Sequence, residues 1–207
     1  MQTDLFSNQQ ELPNGLIYRP DFISREEEQA LLRSLEPLPF REAKYKAYRA
    51  KRRVVRFCPE GYSPGDDEEG DFPRMPFPSF LSSVRERVCD WLAYQPQKFV
   101  HGLITEYRPG TPIGWHRDAP HFELIVGLSM GTSCRMRFRR FNAPPRQMFH
   151  LPLAARSIYV MQKDVRWQWQ HSIGPVDCLR YSITMRTGAE RPQPVRYPPA
   201  DGGQPAR

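Results

Sequence analysis

In the segment LRYSITMRT, Leu179–Thr187, two kinds of side chain alternate strictly. Successive side chains of a strand point to opposite faces, so residues two apart share a face. One face would carry hydrogen-bond donors, and the other apolar groups: Arg180, Ser182, Thr184 and Arg186 against Tyr181, Ile183 and Met185. Arginines that face the interior of a β-structure are costly unless anions pair with them. We therefore expect the apolar row to pack under a helix and the arginine row to line an anion site. The alternative is a solvated arginine face.

Strand patterns continue upstream of this stretch, from residue 98 onwards. Six short segments have the composition of strands, and turn residues separate most of them: KFVHGLITEY, ELIVGLSM, CRMRFRRF, QMFHLPL, RSIYVMQ and VRWQWQHSI. In CRMRFRRF, Arg135, Arg137 and Arg139 would share one face. A solvated face is the default for them, and contact with a substrate strand is the alternative. We expect the tryptophans at strand positions to pack in the core: Trp115, Trp167 and Trp169.

Two amphipathic helices precede the strands. Ser24 begins the first, with Glu27 three residues later, which is a capping box followed by an apolar stripe that ends before Pro37. The second runs through PSFLSSVRERVCDWLAY, where apolar residues recur every three or four positions. Two helices followed by seven or eight strands predict an α+β, mainly β fold, a double-stranded β-helix or jelly roll.

The domain organisation follows from where these patterns begin and end. We expect a flexible N-terminus over residues 1–12, a single domain over 13–187 and a disordered tail rich in glycine, proline and arginine over 188–207. Within the domain, residues 40–77 would form a hairpin and a long loop, and residues 98–187 the jelly-roll core.

Composition limits the class of protein. The 207 residues carry a net charge of +7 with a pI near 9.4, and 25 of the 30 basic residues are arginine. Arginine binds phosphate in bidentate geometry and stacks on bases, so a nucleic-acid partner is favoured, with a codon bias towards arginine as the alternative. The four cysteines are far apart, which argues against a zinc knuckle and suits a reducing cytoplasm. With no signal peptide and no apolar run of membrane length, we expect a cytoplasmic monomer that binds no membrane.

A candidate metal site lies in IGWHRDAPHFE, Ile113–Glu123. His116 and Asp118 are two apart at the end of a strand, so their side chains share a face and can converge on one ion. Two histidines and one carboxylate on one face of an octahedron are the ligand set of non-haem Fe(II) oxygenases. His171, on a late strand, is the best candidate for the third ligand. The competitors are His101, His121 and His150.

Four blocks, in this order and spacing, resemble the AlkB family of Fe(II)/2-oxoglutarate dioxygenases: LITEYRPGTPIGWHRD, IVGLSMG, QHSIG and RYSITMR. The resemblance is firm from about residue 99 to 187 and weaker from 13 to 96, where the basic hairpin is similar to the family's substrate lid. It implies an enzyme that uses Fe(II), 2-oxoglutarate and O2 to dealkylate N-alkylated nucleobases in DNA, or in RNA. The products would be the repaired base, formaldehyde, succinate and CO2. The implied iron ligands are His116, Asp118 and His171.

The resemblance also implies roles around the cosubstrate. Arg180 would bind the distal carboxylate of 2-oxoglutarate with help from the Tyr107 hydroxyl, and Arg186 would support the carboxylate near the metal. Ser182 and Thr105 stand where the family usually has asparagine, and each keeps a hydroxyl that can form hydrogen bonds. We expect both to line the cosubstrate site.

Substrate contacts are expected from the lid and from the mouth of the site. Five residues are candidates: Arg52 and Arg53 with phosphate, Phe57 and Tyr62 by stacking on an extruded base, and His121 at the mouth. The alternative for the basic run KAYRAKRRVVRF is a solvated hairpin face. Pro120 stands where bacterial DNA-repair members of the family have an aspartate that contacts the base, which leaves the choice of substrate open.

Three other interpretations stay open. The same chemistry could act on RNA or on a protein side chain. A non-catalytic β-sandwich binding module would use the HxD segment as a structural turn and the arginine strand as an anion site. A zinc hydrolase with the same ligands would leave Arg180 and Arg186 without a role.

Overall fold

The computed structural model describes residues 12–45, 48–59, 75–141 and 147–189, apart from the side chains of residues 44, 45 and 48–50. The helices in these ranges are α1 (Arg25–Leu35), α2 (Ser82–Leu92) and α3 (Lys163–Gln168), with 3-10 turns at Ser79–Leu81 and Pro96–Lys98. The strands are β1 (Leu16–Arg19), β2 (Arg41–Tyr45), β3 (Tyr48–Phe57), β4 (Phe99–Tyr107), β5 (Ile113–His116), β6 (Phe122–Gly131), β7 (Cys134–Arg140), β8 (Met148–Leu153), β9 (Ile158–Met161), β10 (Trp169–Ile173) and β11 (Arg180–Gly188). None of the helices in the described ranges has the length and apolar character needed to cross a bilayer.

The strands form two antiparallel sheets. The larger sheet has seven strands in the order β1-β9-β6-β11-β4-β3-β2, and the smaller has four in the order β5-β10-β7-β8. Strands far apart in sequence are neighbours in both sheets, as where β11 pairs with β4 and β6 and β10 pairs with β5 and β7. This arrangement confirms the prediction of a mainly β, double-stranded β-helix preceded by two helices.

Two apolar clusters hold the layers together. One lies between the sheets and includes Phe122 of β6 and Phe138 of β7. The other lies between the larger sheet and the helices, where Leu35 of α1 and Val88 of α2 are completely buried. Removal of this apolar surface from water is the main force that holds the sheets and helices together. We use "inner face" for the face of each sheet that looks towards the other sheet.

β11 lies at the centre of the larger sheet, and it has the two faces expected from its sequence. Arg180 and Arg186 point to the inner face, where they are 0% and 8% exposed. Ile183 and Met185 point the other way, into the cluster beneath the helices. The prediction of an inward arginine row is therefore confirmed, and the solvated arginine face is excluded.

Local sequence signals account for the elements that flank the core. The capping box of α1 forms as predicted: Ser24 Oγ accepts from the Glu27 backbone N–H at 3.2 Å, and Glu27 Oε2 accepts from the Ser24 backbone N–H at 2.7 Å. The basic hairpin, β2 and β3, pairs with β4 along residues 53–57 and so extends the larger sheet at one edge. The loop after it, residues 60–74, lies outside the described residues.

Two expectations about tryptophans are wrong. The segment VRWQWQHSI is not one strand, because α3 ends at Gln168 and β10 begins at Trp169. Trp167 therefore lies on a helix, with the Arg166 guanidinium 4.2 Å from its ring centroid. Trp115 lies on the outer face of the smaller sheet between arginines rather than in a core, whereas Trp169 packs against the inner cluster as expected.

Candidate metal centre

Pairing of β5 with β10 brings three candidate ligands together. His171 of β10 lies directly opposite His116 of β5, and the centroids of their rings are 4.2 Å apart. Asp118 follows two residues after His116, which returns its side chain to the same inner face. One ligand atom from each of the three lies within 4.8 Å of the others, and His171 Nε2 is 3.5 Å from Asp118 Oδ2. Two imidazoles and one carboxylate in this arrangement suit Fe(II) with open coordination positions.

One ring nitrogen of His116 forms a hydrogen bond with the backbone and is therefore not available to a metal. His116 Nδ1 is 2.9 Å from the Gly114 carbonyl oxygen, a bond in which the ring donates. This bond fixes the tautomer and leaves Nε2 with the lone pair that a metal needs. The backbone of β5 thus orients the ligand that its own sequence supplies.

Arg186 holds the carboxylate of the group. Its Nε and Nη2 donate to Asp118 Oδ1 at 3.1 and 2.8 Å, and its Nη1 lies 3.1 Å from His101 Nδ1. Burial by itself would raise the pKa of Asp118, but the surrounding positive charges, that of Arg186 foremost, hold that pKa well below its usual range. Asp118 is therefore an ionised ligand at neutral pH, and His101, once a competitor for the metal, lies behind Arg186.

Both histidines of the group are neutral at physiological pH. Burial, helped by the neighbouring His116, lowers the pKa of His171 to about 3. Burial also lowers the pKa of His116. The negative charge of Asp118 acts in the opposite direction and raises that pKa, whereas the charges of Arg52 and Arg186 lower it further. Neutral imidazole is the form that binds a metal, so the site needs no proton loss from its histidines at neutral pH.

Arg180 shows where an anion fits. It is completely buried on the inner face, its Nε donates to Ser129 Oγ at 3.2 Å, and its guanidinium carbon is 5.0 Å from the Tyr107 ring centroid. Its Nη1 and Nη2 have no hydrogen-bond partner among the described residues. A buried guanidinium with two unpaired nitrogens is costly unless an anion binds it. A carboxylate fits this requirement in bidentate geometry, and the distal carboxylate of 2-oxoglutarate is such a group.

Two smaller polar residues lie in the same row. Ser182 is the next inward residue of β11 after Arg180, and it lies opposite Thr105 of β4. Both are 4% exposed, so their hydroxyls face a closed space. The structure therefore brings Arg180, Tyr107, Ser182 and Thr105 together on the inner faces of β11 and β4, as the sequence led us to expect.

Tyr159 is an inward residue that the sequence analysis missed. It lies opposite Gly127, and a Cβ atom at Gly127 would be only 2.2 Å from the Tyr159 ring. Burial raises the pKa of its phenol. Gly127 pairs in turn with Thr184 of β11, so Tyr159 lies at the level between Arg180 and Arg186. No local signal marks it, because a tyrosine in an apolar strand is an ordinary core residue.

Arg166 of α3 is the second residue that was missed. Its Nη2 donates to the carbonyl oxygens of Ala119 and Phe122 at 2.6 and 2.7 Å, and its Nε donates to Phe122 O at 3.1 Å. Burial lowers the pKa of Arg166 to about 10, so it remains a cation. These bonds fix the loop that follows Asp118. Because the segment was expected to be a strand, a contact between Arg166 and this loop could not be predicted.

The three described residues that were expected to contact substrate from the hairpin lie on two different faces of β3. Arg53 makes a two-point ion pair with Glu106, at 2.8 and 2.6 Å, on the helix-covered side of the sheet, so it is not brought to the metal group. Arg52 alternates to the inner side, and its charge acts on His116. Phe57 is completely buried in the cluster beneath the helices. This corrects the expectation that Phe57 stacks on a base, since a ring without exposed surface offers no platform.

The remaining two predictions concern the mouth of the site. Tyr62 lies outside the described residues. His121 is half-buried three residues after Asp118, with its ring centroid 4.2 Å from that of Phe122. Its contact with substrate stays a prediction.

Known proteins share these features. Residues 15–187 match the model of a family described as the 2OG-Fe(II) oxygenase superfamily. The mouse tRNA (carboxymethyluridine(34)-5-O)-methyltransferase ALKBH8 is 29% identical over 171 residues, which are 79% of this chain and 25% of ALKBH8. The probable RNA/DNA demethylase ALKBH6 of Danio rerio is 25% identical over 174 residues, 79% of this chain and 70% of ALKBH6. The solved structure of OsALKBH1 has the same fold, with a TM-score of 0.60 at 15% identity over 86% of this chain and 100% of that one. The chain thus spans about a quarter of the ALKBH8 length.

Proposed function

We propose that this chain, which belongs to the 2OG-Fe(II) oxygenase superfamily and is AlkB-like, oxidatively dealkylates N-alkylated bases in DNA. It is a dioxygenase, and its family uses Fe(II), 2-oxoglutarate and O2. The products would be the repaired base, formaldehyde, succinate and CO2. One observation carries the proposal: the His116, Asp118 and His171 group lies on the inner side of the sheets together with Arg180, a buried cation whose Nη1 and Nη2 have no hydrogen-bond partner among the described residues.

The residues on the inner faces around the metal centre would have different roles. His116, Asp118 and His171 would hold the iron, and Arg186 would keep Asp118 ionised and oriented. When bound, Fe(II) and 2-oxoglutarate activate O2 for the oxidation of a carbon–hydrogen bond. Arg180 would bind the distal carboxylate of the cosubstrate through its Nη1 and Nη2.

Three observations support a nucleic acid as the substrate. The chain has a net charge of +7, carried mainly by arginine. Arg52 lies on the inner side of the hairpin near His116, where it can meet a phosphate next to an extruded base. The names of two relatives contain a nucleic acid, tRNA for ALKBH8 and RNA/DNA for ALKBH6. RNA is therefore the second candidate substrate. We place the reaction in a reducing cytoplasm, because the four cysteines form no disulfide with one another.

The test is a panel of substrates with one matched control. The purified chain, supplied with Fe(II), 2-oxoglutarate and ascorbate, is incubated with 1-methyladenine, 3-methylcytosine and ethenoadenine in single- and double-stranded DNA and RNA. We expect succinate and the repaired base to form in equal amounts on DNA. Asp118→Ala should abolish both, whereas Asp90→Ala on α2 should leave both unchanged.

The other outcomes identify the rival functions. Repair of RNA alone would make RNA the substrate. Activity on methylated peptides alone would move the substrate to protein. A parent chain that consumes no 2-oxoglutarate under any condition would be a binding module, and hydrolysis that depends on zinc would make it a hydrolase. Each of the last three results would contradict the proposal.

A further inference from the structure

Of the three candidate metal ligands, Asp118 alone lies outside a strand. His116 is the last residue of β5 and His171 lies within β10, so the pairing of these two strands fixes both histidines. Asp118 lies between the end of β5 and the start of β6 at Phe122, so no strand pairing holds its main chain. We call residues 117–121 the ligand loop. A contact from outside the sheets must hold this loop if Asp118 is to keep a constant position opposite the histidines.

Arg166 of α3 supplies such a contact on the far side of Asp118. The side chain is buried, its Nη2 donates to Ala119 O at 2.6 Å, and its Nη2 and Nε donate to Phe122 O at 2.7 and 3.1 Å. Ala119 follows the ligand directly, and Phe122 begins the next strand. A guanidinium presents its donors in a planar, rigid fork, whereas an ammonium is a single charged point on a flexible stem. The fork of Arg166 therefore fixes the two carbonyl groups relative to each other.

Arg117 makes a contact in the reverse direction, from the ligand loop to α3. Its Nη1 donates to the carbonyl oxygen of Trp167 at 3.3 Å, and its guanidinium carbon lies 4.4 Å from the ring centroid of Phe141. The helix and the loop therefore each send one arginine to the main chain of the other. Arg117 precedes Asp118 and the carbonyls bound by Arg166 follow it, so the loop is tied on both sides of the ligand. We call this pair of arginines the arginine clasp.

The short helix that takes part in the clasp is itself held at both ends. Before it, the Gln162 N–H donates to the Gly15 carbonyl oxygen at 3.1 Å, and at its end the Phe141 N–H donates to the Gln168 carbonyl oxygen at 2.8 Å. β10 begins directly after α3 and carries His171. The helix thus connects the ligand loop to the strand of another ligand, and it can serve as a fixed support for the loop.

We propose that Arg166 and Arg117 are positioning residues of the metal centre, whose clasp on α3 holds Asp118 where a divalent metal can bind it together with the two histidines. The inference rests on the metal centre of the proposed function and not on its substrate. Arg186 bonds the carboxylate of the ligand, whereas Arg166 bonds main-chain oxygens and acts through the backbone of the loop. Loss of a group that orients a metal ligand lowers metal affinity about 10- to 100-fold.

The test measures binding of Co(II) to the full chain, because Co(II) takes ligands of the same kind as Fe(II) and absorbs visible light. We expect Arg166→Gln to bind Co(II) about tenfold more weakly and to change its visible absorption bands at saturation. Arg166→Lys keeps the charge but not the fork, so it should bind as weakly as Arg166→Gln. The control is Arg156→Gln, which removes an arginine that pairs with Asp21 and with Glu28 of α1. It should keep the parent's affinity and spectrum.

A double-mutant cycle separates positioning from a general loss of structure. In an Asp118→Ala chain, Arg166→Gln should cause no further loss of Co(II) affinity, because the ligand that it positions is gone. A further tenfold loss in that chain would show damage to the histidines and would overturn the inference. Full recovery by Arg166→Lys would also overturn it, since charge alone would then explain the effect.

Arg117→Gln is the second variant, for the case that Arg166→Gln does not fold. Arg117 is half-buried, and the chain should lose one hydrogen bond and about threefold in Co(II) affinity, again only while Asp118 is present. Unchanged affinity in a folded Arg117→Gln chain would refute the clasp. If both arginine variants bind Co(II) more weakly but the parent oxidises no base, the inference stands and the proposed function fails.

Discussion

Strands β11 and β7 have similar alternating sequences, but the arginines point to the interior in β11 and away from it in β7. Both alternate polar residues with apolar ones, and arginines are among the polar residues of each: RYSITMR in β11 and CRMRFRR in β7. In β11 the arginines face the interior, because the helices cover the apolar side. In β7 the apolar side faces the interior and the arginines face out. An alternating strand therefore shows which residues share a face, but the layers around it decide which face is buried.

The two strands also treat charge differently. On β11, Arg186 is held by Asp118, and the terminal nitrogens of Arg180 have no partner among the described residues. On β7, the arginines rest on Trp115, Ser172 and Gln170. A buried cation needs a specific anion, whereas an exposed one is satisfied by water and neutral groups. We therefore expect β11, with its buried Arg180, to bind one small dianion tightly.

The largest effect is expected from Arg180→Met compared with Arg135→Met, the same change on the two strands. Loss of the buried partner should weaken 2-oxoglutarate binding by about 3–4 kcal/mol, or 10²- to 10³-fold, and Arg135→Met should leave it unchanged. Calorimetric titration measures the affinity. Without 2-oxoglutarate, Arg180→Met should melt no lower than the parent, because an uncompensated buried charge is gone. Equal cosubstrate affinity in the two variants would remove the basis of the comparison.

Arg186→Gln should act on the metal rather than on the cosubstrate. Without the guanidinium, Asp118 loses two hydrogen bonds and the charge that keeps it ionised. We expect Fe(II) affinity to fall 10- to 100-fold. Anaerobic metal titration followed by competition with a chelator gives this value. Arg87→Gln, which breaks an ion pair with Glu27 in the helical layer, serves as the control and should keep full affinity.

Gly127→Ala probes the floor between the two sites. The added Cβ would be 2.2 Å from the Tyr159 ring, so the ring must move. We expect a loss of about 2 kcal/mol in the free energy of unfolding, measured with urea. Tyr159→Val in the same chain should restore most of it, because the two residues are in contact and their effects do not add. Additive effects would show that Tyr159 does not occupy this space.

The buried His171 and the exposed His150 should differ in their effect on the free energy of unfolding at acid pH. Burial, helped by His116, lowers the pKa of His171 in the folded chain to about 3. In the unfolded chain the ordinary pKa of 6.5 applies, so between these two pH values only the unfolded chain has a protonated His171. This contribution to stability is present above pH 6.5 and is lost as the pH falls towards 3. With a metal chelator present, about 1 kcal/mol should be lost between roughly pH 7.5 and 5.5. His171→Gln should remove that part of the slope, and the exposed His150→Gln should not.

The smallest effect is expected at the exposed end of β7. Arg135→Gln should change the free energy of unfolding by less than about 0.5 kcal/mol, because the side chain is exposed and belongs to neither apolar cluster. Urea unfolding of the parent and the variant provides the measurement. A loss above 1 kcal/mol would show that β7 depends on its arginines for folding and would weaken the contrast with β11.

Much of the metal centre could be predicted from the chain, because its residues lie in short motifs. His116 and Asp118 are two apart on one strand, and Arg180, Ser182 and Arg186 are spaced by two and four on another. A strand has a fixed period, so the shared face is certain once the strand is correct. The capping box of α1 was predictable for the same reason, since all its atoms lie within four residues.

Residues whose role depends on distant partners could not be found in this way. Arg166 was assigned to a strand, and only α3 turns it towards the carbonyls of Ala119 and Phe122. Phe57 was expected to stack on a base, but β3 turns it under the helices. Arg53, four residues earlier on the same face of β3, forms an ion pair with Glu106. The position of the Tyr159 ring depends on Gly127 of the neighbouring strand, which leaves space for it.

Local periodicity in the chain was enough to predict which side chains share a face, where α1 begins, and which histidine and aspartate lie side by side. The packing of the layers was needed to establish which face became the interior, that Arg186 holds Asp118, and that Arg180 Nη1 and Nη2 have no hydrogen-bond partner among the described residues. The physical reason is that backbone geometry sets alternation locally, whereas burial is set by the layer that covers each face.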